Sequence, residues 1–175
     1  VWLLEQVALK TGIRQDLLTV FEGNEEMVND ILTLAFFPFL TGHTYNRLAR
    51  WQRIAKTPSK AELTPSMITR LTQSITESER MELFRLRAGR LEKGELCAVD
   101  STSRSAYGET LADVKWGRNK DRLPLGQTIE VVVYSLDSHM PIYYRTFPGN
   151  IPDSRSVETI LTDLGHAGFP KVILV

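Results

Sequence analysis

The order of segments in the second half of the chain restricts the possible folds more than any other feature. An apolar run at 96–99 is followed, after a long loop, by two β-branched segments at 128–136 and 141–147, which only the turn 137–139 separates. Strands joined by so short a turn pair antiparallel. A helical pattern then leads to a last apolar run at 171–175, and a strand reached through a helix can lie parallel to its neighbour. We therefore expect a mixed sheet with a crossover helix, in which 171–175 lies parallel to the strand 96–100 and directly beside it, with Val175 near Asp100.

Residues 1–94 have the pattern of helices instead. Apolar side chains recur there every three or four positions, and Asn24, Thr64 and Thr76 stand where residues that cap helices belong. We expect an α+β chain, of the α/β type in its second part: a helical domain at 1–94 with a possible role in DNA binding or assembly, and a sheet domain at 95–175.

The composition excludes some classes of protein. Twenty-one basic residues balance 21 acidic ones, which argues against a protein coated in positive charge. The single cysteine permits no disulfide within the chain, so we expect a cytoplasmic location. No apolar stretch approaches the ~20 residues of a membrane span, and we expect no membrane partner.

Asp100 follows the apolar run 96–99 directly. A carboxylate at the end of an interior strand needs a partner, because an unpaired buried charge costs several kcal/mol. A Mg²⁺ ion would serve, since such sites combine carboxylates with water and substrate phosphate. A turn in which Asp100 bonds to the backbone of 101–103 explains the same pattern, and the two alternatives stay open.

Two basic segments point toward nucleic acid. The first is a stretch without any acid between Asp30 and Glu62, and the second is the loop 115–122, where Trp116 offers a stacking surface. Such cations would contact phosphates and give affinity without sequence specificity. A solvated surface is the alternative for each. The candidate DNA-binding residues are Arg47, Arg50, Arg53, Lys115, Arg118, Lys120 and Arg122.

A turn with the sequence PGNIPDS follows the second strand of the hairpin. Gly149 and Asn150 suit unusual backbone angles, and Asp153 can cap the helix that follows. We interpret these three residues as a structural turn.

The chain resembles the DDE transposases of bacterial insertion sequences. The resemblance is carried, in order, by VDSTS at the end of a strand, WGRNKDRLPLGQ, MPIYYRTFPGNIPDS, a helix and KVILV. The helical half, from WLLEQVALKTGIRQDL to TPSMITRL, is similar to the region that precedes the first catalytic aspartate in that family.

This resemblance implies an RNase H-like catalytic core, in which three carboxylates hold two Mg²⁺ or Mn²⁺ ions that assist DNA cleavage and strand transfer. Asp100 would be the first carboxylate, both catalytic and a metal ligand. The second aspartate and the glutamate would lie beyond residue 175, so 95–175 would be the N-terminal part of the catalytic domain. We expect this chain alone to be inactive and to hold no ordered ion.

The partners implied by the resemblance are transposon-end and target DNA in the bacterial cytoplasm, with a homo-oligomer of the full-length protein possible. Two other functions stay open. One is an RNase H-like nuclease that cleaves DNA without joining it. The other is a non-catalytic DNA-binding or assembly module, in which Asp100 is replaceable and the arginines are not.

Overall fold

The computed structural model describes residues 1–92, 94–106, 113–117, 125–166, 168–169 and 173–174. The fold is mixed α+β, with a helical first part and a sheet in the second, which confirms the predicted class. The chain forms two compact units, Val1–Leu83 and Phe84–Val175, whereas the sequence suggested a division at 94/95. No helix in the described part of the chain is long and apolar enough to cross a membrane.

The first unit is built from helices. These are α1 (Trp2–Lys10), α2 (Ile13–Val20), α3 (Glu25–Thr41), a 3₁₀ turn (Tyr45–Arg47), α4 (Leu48–Gln52), α5 (Pro65–Ser74) and most of α6 (Glu77–Ala88), which continues into the second unit. The predicted caps are in place: Asn24 accepts a hydrogen bond from the Met27 backbone at 3.1 Å, and Thr76 exchanges bonds with Glu79. Each cap supplies a partner for a backbone donor that the first helical turn leaves free.

Helix α3 has apolar residues on two sides because it separates two buried clusters. Val28, Leu32 and Phe36 pack with residues of α1 and α2, whereas Leu34 and Phe37 pack with residues from α4, α5 and the segment before α5. Pro38 lies inside this helix, which ends within one turn of it, at Thr41. A proline inside a helix removes one helical hydrogen bond.

The second unit contains a four-stranded sheet in the order β3-β2-β1-β4. Its elements are β1 (Leu96–Ser105), β2 (Gln127–Ser135), β3 (Pro141–Pro148), α7 (Asp153–His166) and β4 (Ile173–Leu174). Strand β2 is antiparallel to both β1 and β3. Strand β4 lies beside β1 and parallel to it, with Leu96 opposite Ile173, as the sequence predicts. The rest of the segment 171–175 lies outside the described residues.

One face of the sheet is covered by α7. Asp163 on this helix contacts Tyr143 and Arg145 of β3, and Ile160 and Leu164 of the same helix are buried. The apolar character of 128–136 predicts cover on the opposite face as well. Among the described residues that face is the more open of the two, although the ring of Phe84 of α6 lies against Tyr144. Its large apolar side chains are about 37–49% exposed: Leu96, Val132 and Tyr144.

Candidate functional site

Asp100 lies inside β1 and not at its end. The strand continues to Ser105, because Ser101 to Ser105 pair in register with Val131 to Gln127 of β2. Backbone pairing therefore holds the polar residues that the sequence assigned to a loop or turn. The prediction of a strand end at Asp100 is wrong, and so is the alternative of a turn at 101–103.

The side chain of Asp100 belongs to the open face of the sheet. Alternate β1 residues Asp100, Thr102 and Arg104 are exposed, and Val132 is the cross-strand neighbour of Asp100. The carboxylate has no hydrogen-bond or ion-pair partner in the described ranges. An exposed carboxylate is solvated by water, so the argument that burial forces a counter-ion on Asp100 does not hold. Asp100 nevertheless lies on an inner strand of the sheet, as the sequence predicts.

A charged pair on this face joins the guanidinium of Arg104 to the carboxylate of Glu130 at 2.9 Å. Glu130 is opposite Thr102 in the β1–β2 register. Within the described part of the chain, no three His, Cys, Asp or Glu residues come together as a metal site would require. Asp100 is therefore not part of a three-residue metal site in the described chain.

Strand β4 pairs with the first two residues of β1, with Ile173 opposite Leu96 and Leu174 opposite Cys97. Because the two strands are parallel, β4 runs in the same direction as β1 and toward Asp100. The predicted proximity of Val175 to Asp100 falls outside the described residues.

Three residues of the second unit meet at the start of β2: Gly117, Gln127 and Gly149. Gln127 is buried, and its side-chain amide donates to the carbonyl oxygen of Gly149 at 3.1 Å. A Cβ added at Gly149 would lie 2.1 Å from the Gln127 carbonyl oxygen, and one at Gly117 would lie 1.8 Å from the Gly149 carbonyl oxygen. Both glycines are therefore required for close packing of backbone.

Glycine is needed at position 149 for a different reason from the one that the sequence suggested. Neither Gly149 nor Asn150 has a positive φ, so the expected unusual backbone angles are absent. Asp153 is the first residue of α7, and its side chain lies outside the described residues, which leaves its predicted capping role untested.

The arginines of the acid-free stretch are exposed, but they are not equivalent. Arg47 lies in the 3₁₀ turn, Arg50 in α4 and Arg53 directly after it. Two nitrogens of Arg53 bond to the carboxylate of Glu62, at 2.8 and 3.2 Å, and this hydrogen bonding raises the pKa of Arg53 and lowers that of Glu62. Arg47 and Arg50 have no such partner in the described chain.

The second basic segment is described only in part. Lys115 is exposed, and its backbone exchanges two hydrogen bonds with Gln127, at 3.0 and 2.9 Å. The indole of Trp116 is 70% exposed, as a stacking surface would have to be. The remaining candidates lie outside the described residues: Arg118, Lys120 and Arg122.

A buried carboxylate at the start of β1 was not anticipated. Glu95 accepts hydrogen bonds from the hydroxyl of Ser135, the backbone of Glu92 at 2.9 Å and the hydroxyl of Ser138 at 3.3 Å. The Ser135 bond is the main reason that the pKa of Glu95 is lowered. Burial, together with the nearby charge of Glu95, raises the pKa of the Cys97 thiol, so this cysteine is unsuited to act as a nucleophile.

A second buried polar cluster joins the sheet to α7. The hydroxyl of Tyr143 donates to Asp163, whose carboxylate also pairs with Arg145. Burial, reinforced by the bond to Asp163, raises the pKa of Tyr143 well above its usual range. The alternation of β3 places Tyr143 and Arg145 on one face, but nothing in the sequence identifies Asp163 as their partner.

No family model, curated protein or solved structure gave a significant match to this chain. The order of its motifs and the topology of its sheet therefore carry the functional argument.

Proposed function

We propose that this chain is part of a DDE transposase, which binds transposon-end DNA and catalyses metal-dependent strand cleavage and strand transfer. The observation that carries the proposal is the position of Asp100, exposed on strand β1 between antiparallel β2 and parallel β4. An RNase H-like core requires its first carboxylate on a strand with such neighbours.

The rigidity of β1 supports a catalytic role for Asp100. The strand is paired with β2 along residues 97–105 and with β4 at Leu96 and Cys97, so the backbone at Asp100 is held by its pairing with Val132 of β2. Catalytic carboxylates have to be fixed to within about 0.5 Å, which elements of regular structure achieve better than loops. The absence of a competing ion pair for Asp100 among the described residues leaves both its oxygens available.

The described residues fit a divalent ion only in part. Asp100 would supply one oxygen ligand, and Mg²⁺ keeps its hydration shell unless further ligands and substrate phosphates replace it. A bound pair of such ions would activate the attacking water or 3′-hydroxyl and stabilise the leaving oxygen. Asp100 would hold one ion at the strand, and the open face around it would leave room for the DNA backbone.

The exposed cations support DNA as the partner. Arg47, Arg50 and Lys115 are free of ion pairs in the described chain, and Trp116 is exposed beside Lys115. Each such cation could neutralise one phosphate. Arg53 contributes less, because Glu62 already occupies its guanidinium.

The experiment is cleavage of transposon-end DNA by the natural full-length protein at saturating Mg²⁺, with Asp100→Asn against wild type. We expect the variant to lose cleavage and to keep its fold and its DNA affinity. Glu130→Gln is the matched control, since it removes a carboxylate from the same sheet face, and it should retain cleavage.

Two outcomes would favour the alternatives. Cleavage by Asp100→Asn within about tenfold of wild type, a difference of only ~1.4 kcal/mol in the barrier, would mean that Asp100 is not catalytic and would favour a DNA-binding or assembly module. Cleavage that depends on Asp100 but gives no joined product would indicate an RNase H-like nuclease.

A further inference from the structure

A groove in the first unit lies beside α1, α2 and the segment that follows α4. Its volume is about 480 Å³, and Arg14, Lys56 and Lys60 are among the residues that line it. Pockets of roughly 300–1,000 Å³ accommodate small ligands or parts of larger ones. The two lysines belong to the acid-free stretch, whereas Arg14 comes from α2, so the cluster is created by the tertiary fold.

The three cations of this groove are not neutralised by the protein. In residues 1–83, all of which are described, none of them forms a salt bridge. Arg53 and Arg80 of the same unit do form such bridges, with Glu62 and Glu77. Arg14 donates instead to the neutral side chain of Asn29 at 2.8 Å. This bond orients the half-buried guanidinium without cancelling its charge.

The segment that carries the lysines is anchored to the helices. The backbone N–H of Ser59 donates to the hydroxyl of Thr33 on α3 at 2.9 Å, and this contact is buried. Lys56 and Lys60 therefore extend as exposed side chains from a fixed backbone. An anion that binds between them meets side chains carried by an ordered backbone, so less backbone entropy is lost on binding than for a disordered loop.

We propose that this groove, formed by Arg14, Lys56 and Lys60, binds phosphates of the DNA backbone. The assignment rests on the proposed function, which supplies DNA as the partner. Lys56 is six positions after Arg50, a distance of at most ~22 Å along the chain. A duplex that contacts Arg50 could therefore reach the groove within a few base pairs, at 3.4 Å per step.

One acid faces the same groove. Glu5 of α1 is part of its lining, although it forms no salt bridge with any of the three cations. Its charge opposes a bound phosphate, so Glu5→Gln should tighten DNA binding by about two- to fivefold, the effect of one exposed charge pair. If the groove had only a structural role, Glu5→Gln would not tighten DNA binding.

The experiment measures binding of a fluorescent DNA duplex to the 175-residue chain over a range of salt concentrations. The double variant Lys56→Gln/Lys60→Gln should bind roughly tenfold or more weakly, and its log–log salt slope should fall by about two. The matched control is Arg70→Gln/Arg155→Gln, which removes two exposed charges outside the groove and should bind as wild type does.

A second arm replaces DNA with inorganic phosphate as the titrant. If Lys56→Gln/Lys60→Gln binds DNA as tightly as wild type and with the same log–log salt slope, the groove assignment is wrong and the proposed function still stands. Binding of free phosphate through these lysines without any binding of DNA would overturn both the DNA contact and the proposed function.

Discussion

The side-chain amide of Gln127 is hydrogen-bonded to the carbonyl oxygen of Gly149 at a buried site, with 3.1 Å between nitrogen and oxygen. Gln127 begins β2 and Gly149 directly follows β3, so this bond closes the end of the β2–β3 ladder. It also connects two of the motifs on which the proposed function depends.

Gly149→Ala should strongly destabilise the chain. The added methyl group would lie 2.1 Å from the Gln127 carbonyl oxygen, so either the strand end or the loop has to move. We expect the free energy of unfolding to fall by roughly 3 kcal/mol, the upper part of the range for overpacking. Urea denaturation followed by circular dichroism measures this change.

Gly165→Ala is the control for that substitution. Gly165 lies in the last turn of α7, and a Cβ there has nothing within 4 Å. Alanine should leave stability unchanged or raise it by up to about 1 kcal/mol, through helix propensity. A Gly149→Ala protein as stable as this control would show that the loop has room for the methyl group.

Tyr143→Phe should change how stability depends on alkaline pH. The pKa of Tyr143 is raised by burial and by the bond to Asp163, so its stabilising effect is complete below about pH 10. Above that pH the unfolded chain releases the proton and the folded chain does not, and the free energy of unfolding falls by up to ~1.4 kcal/mol per pH unit.

The phenylalanine variant should be about 1–3 kcal/mol less stable at pH 7 and should lack this alkaline loss. Denaturation at pH 7 and at about pH 11 measures both effects. Tyr134→Phe removes a hydroxyl from the neighbouring strand β2 that has no partner among the described residues, and it should behave as wild type. An equal alkaline loss in all three proteins would exclude Tyr143 as its source.

Ser135→Ala, which removes a single hydroxyl, should lower the stability of the second unit. Glu95 would lose the donor that contributes most to its lowered pKa, at a cost of about 1–3 kcal/mol in unfolding free energy at pH 7. Because the pKa of Glu95 is lowered, its stabilising effect is present above about pH 4.5 and is lost as the pH falls below that value.

The difference between wild type and Ser135→Ala should accordingly shrink in acid. Ser138→Ala removes the longer bond to Glu95, at 3.3 Å, and should cost less at pH 7. Thermal denaturation at neutral and acid pH measures both variants. A difference that does not change with pH would show that Ser135 stabilises the fold independently of the Glu95 charge.

The arginines should differ in their contribution to DNA binding. Arg47→Gln and Arg50→Gln should each reduce the log–log salt slope by about one, because each removes one phosphate contact. Arg53→Gln should reduce it by less, because Glu62 already pairs with Arg53. Three equal slopes would mean that DNA displaces Glu62, and no change in any slope would mean that the stretch is only solvated.

Much of the local structure is predictable from the sequence. The hairpin, α7 and the helix caps at Asn24 and Thr76 follow from side-chain spacing and capping residues, which act over a few positions. The length of β1 does not follow. Residues 101–105 have little strand character of their own, and their strand conformation comes from pairing with β2; such pairing commonly overrides intrinsic preference.

The candidate site is less predictable than the fold. The sequence identified Asp100, but its exposure depends on which face α7 covers. The sequence also suggested an acid-free arginine stripe, yet Glu62 folds back onto Arg53, and Arg14 joins the lysines from a different helix. Spacing along one element cannot indicate contacts of this kind.

The sequence by itself determined the α+β class, the antiparallel hairpin and the parallel return of β4 to β1, because periodicity and turn residues act locally and the crossover follows from chain order. Only the tertiary structure decided the exposure of Asp100, the close approach of Gly149 to Gln127 and the partners of the buried carboxylates. Those features depend on side chains brought together from distant positions, and packing selects them only once the elements have assembled.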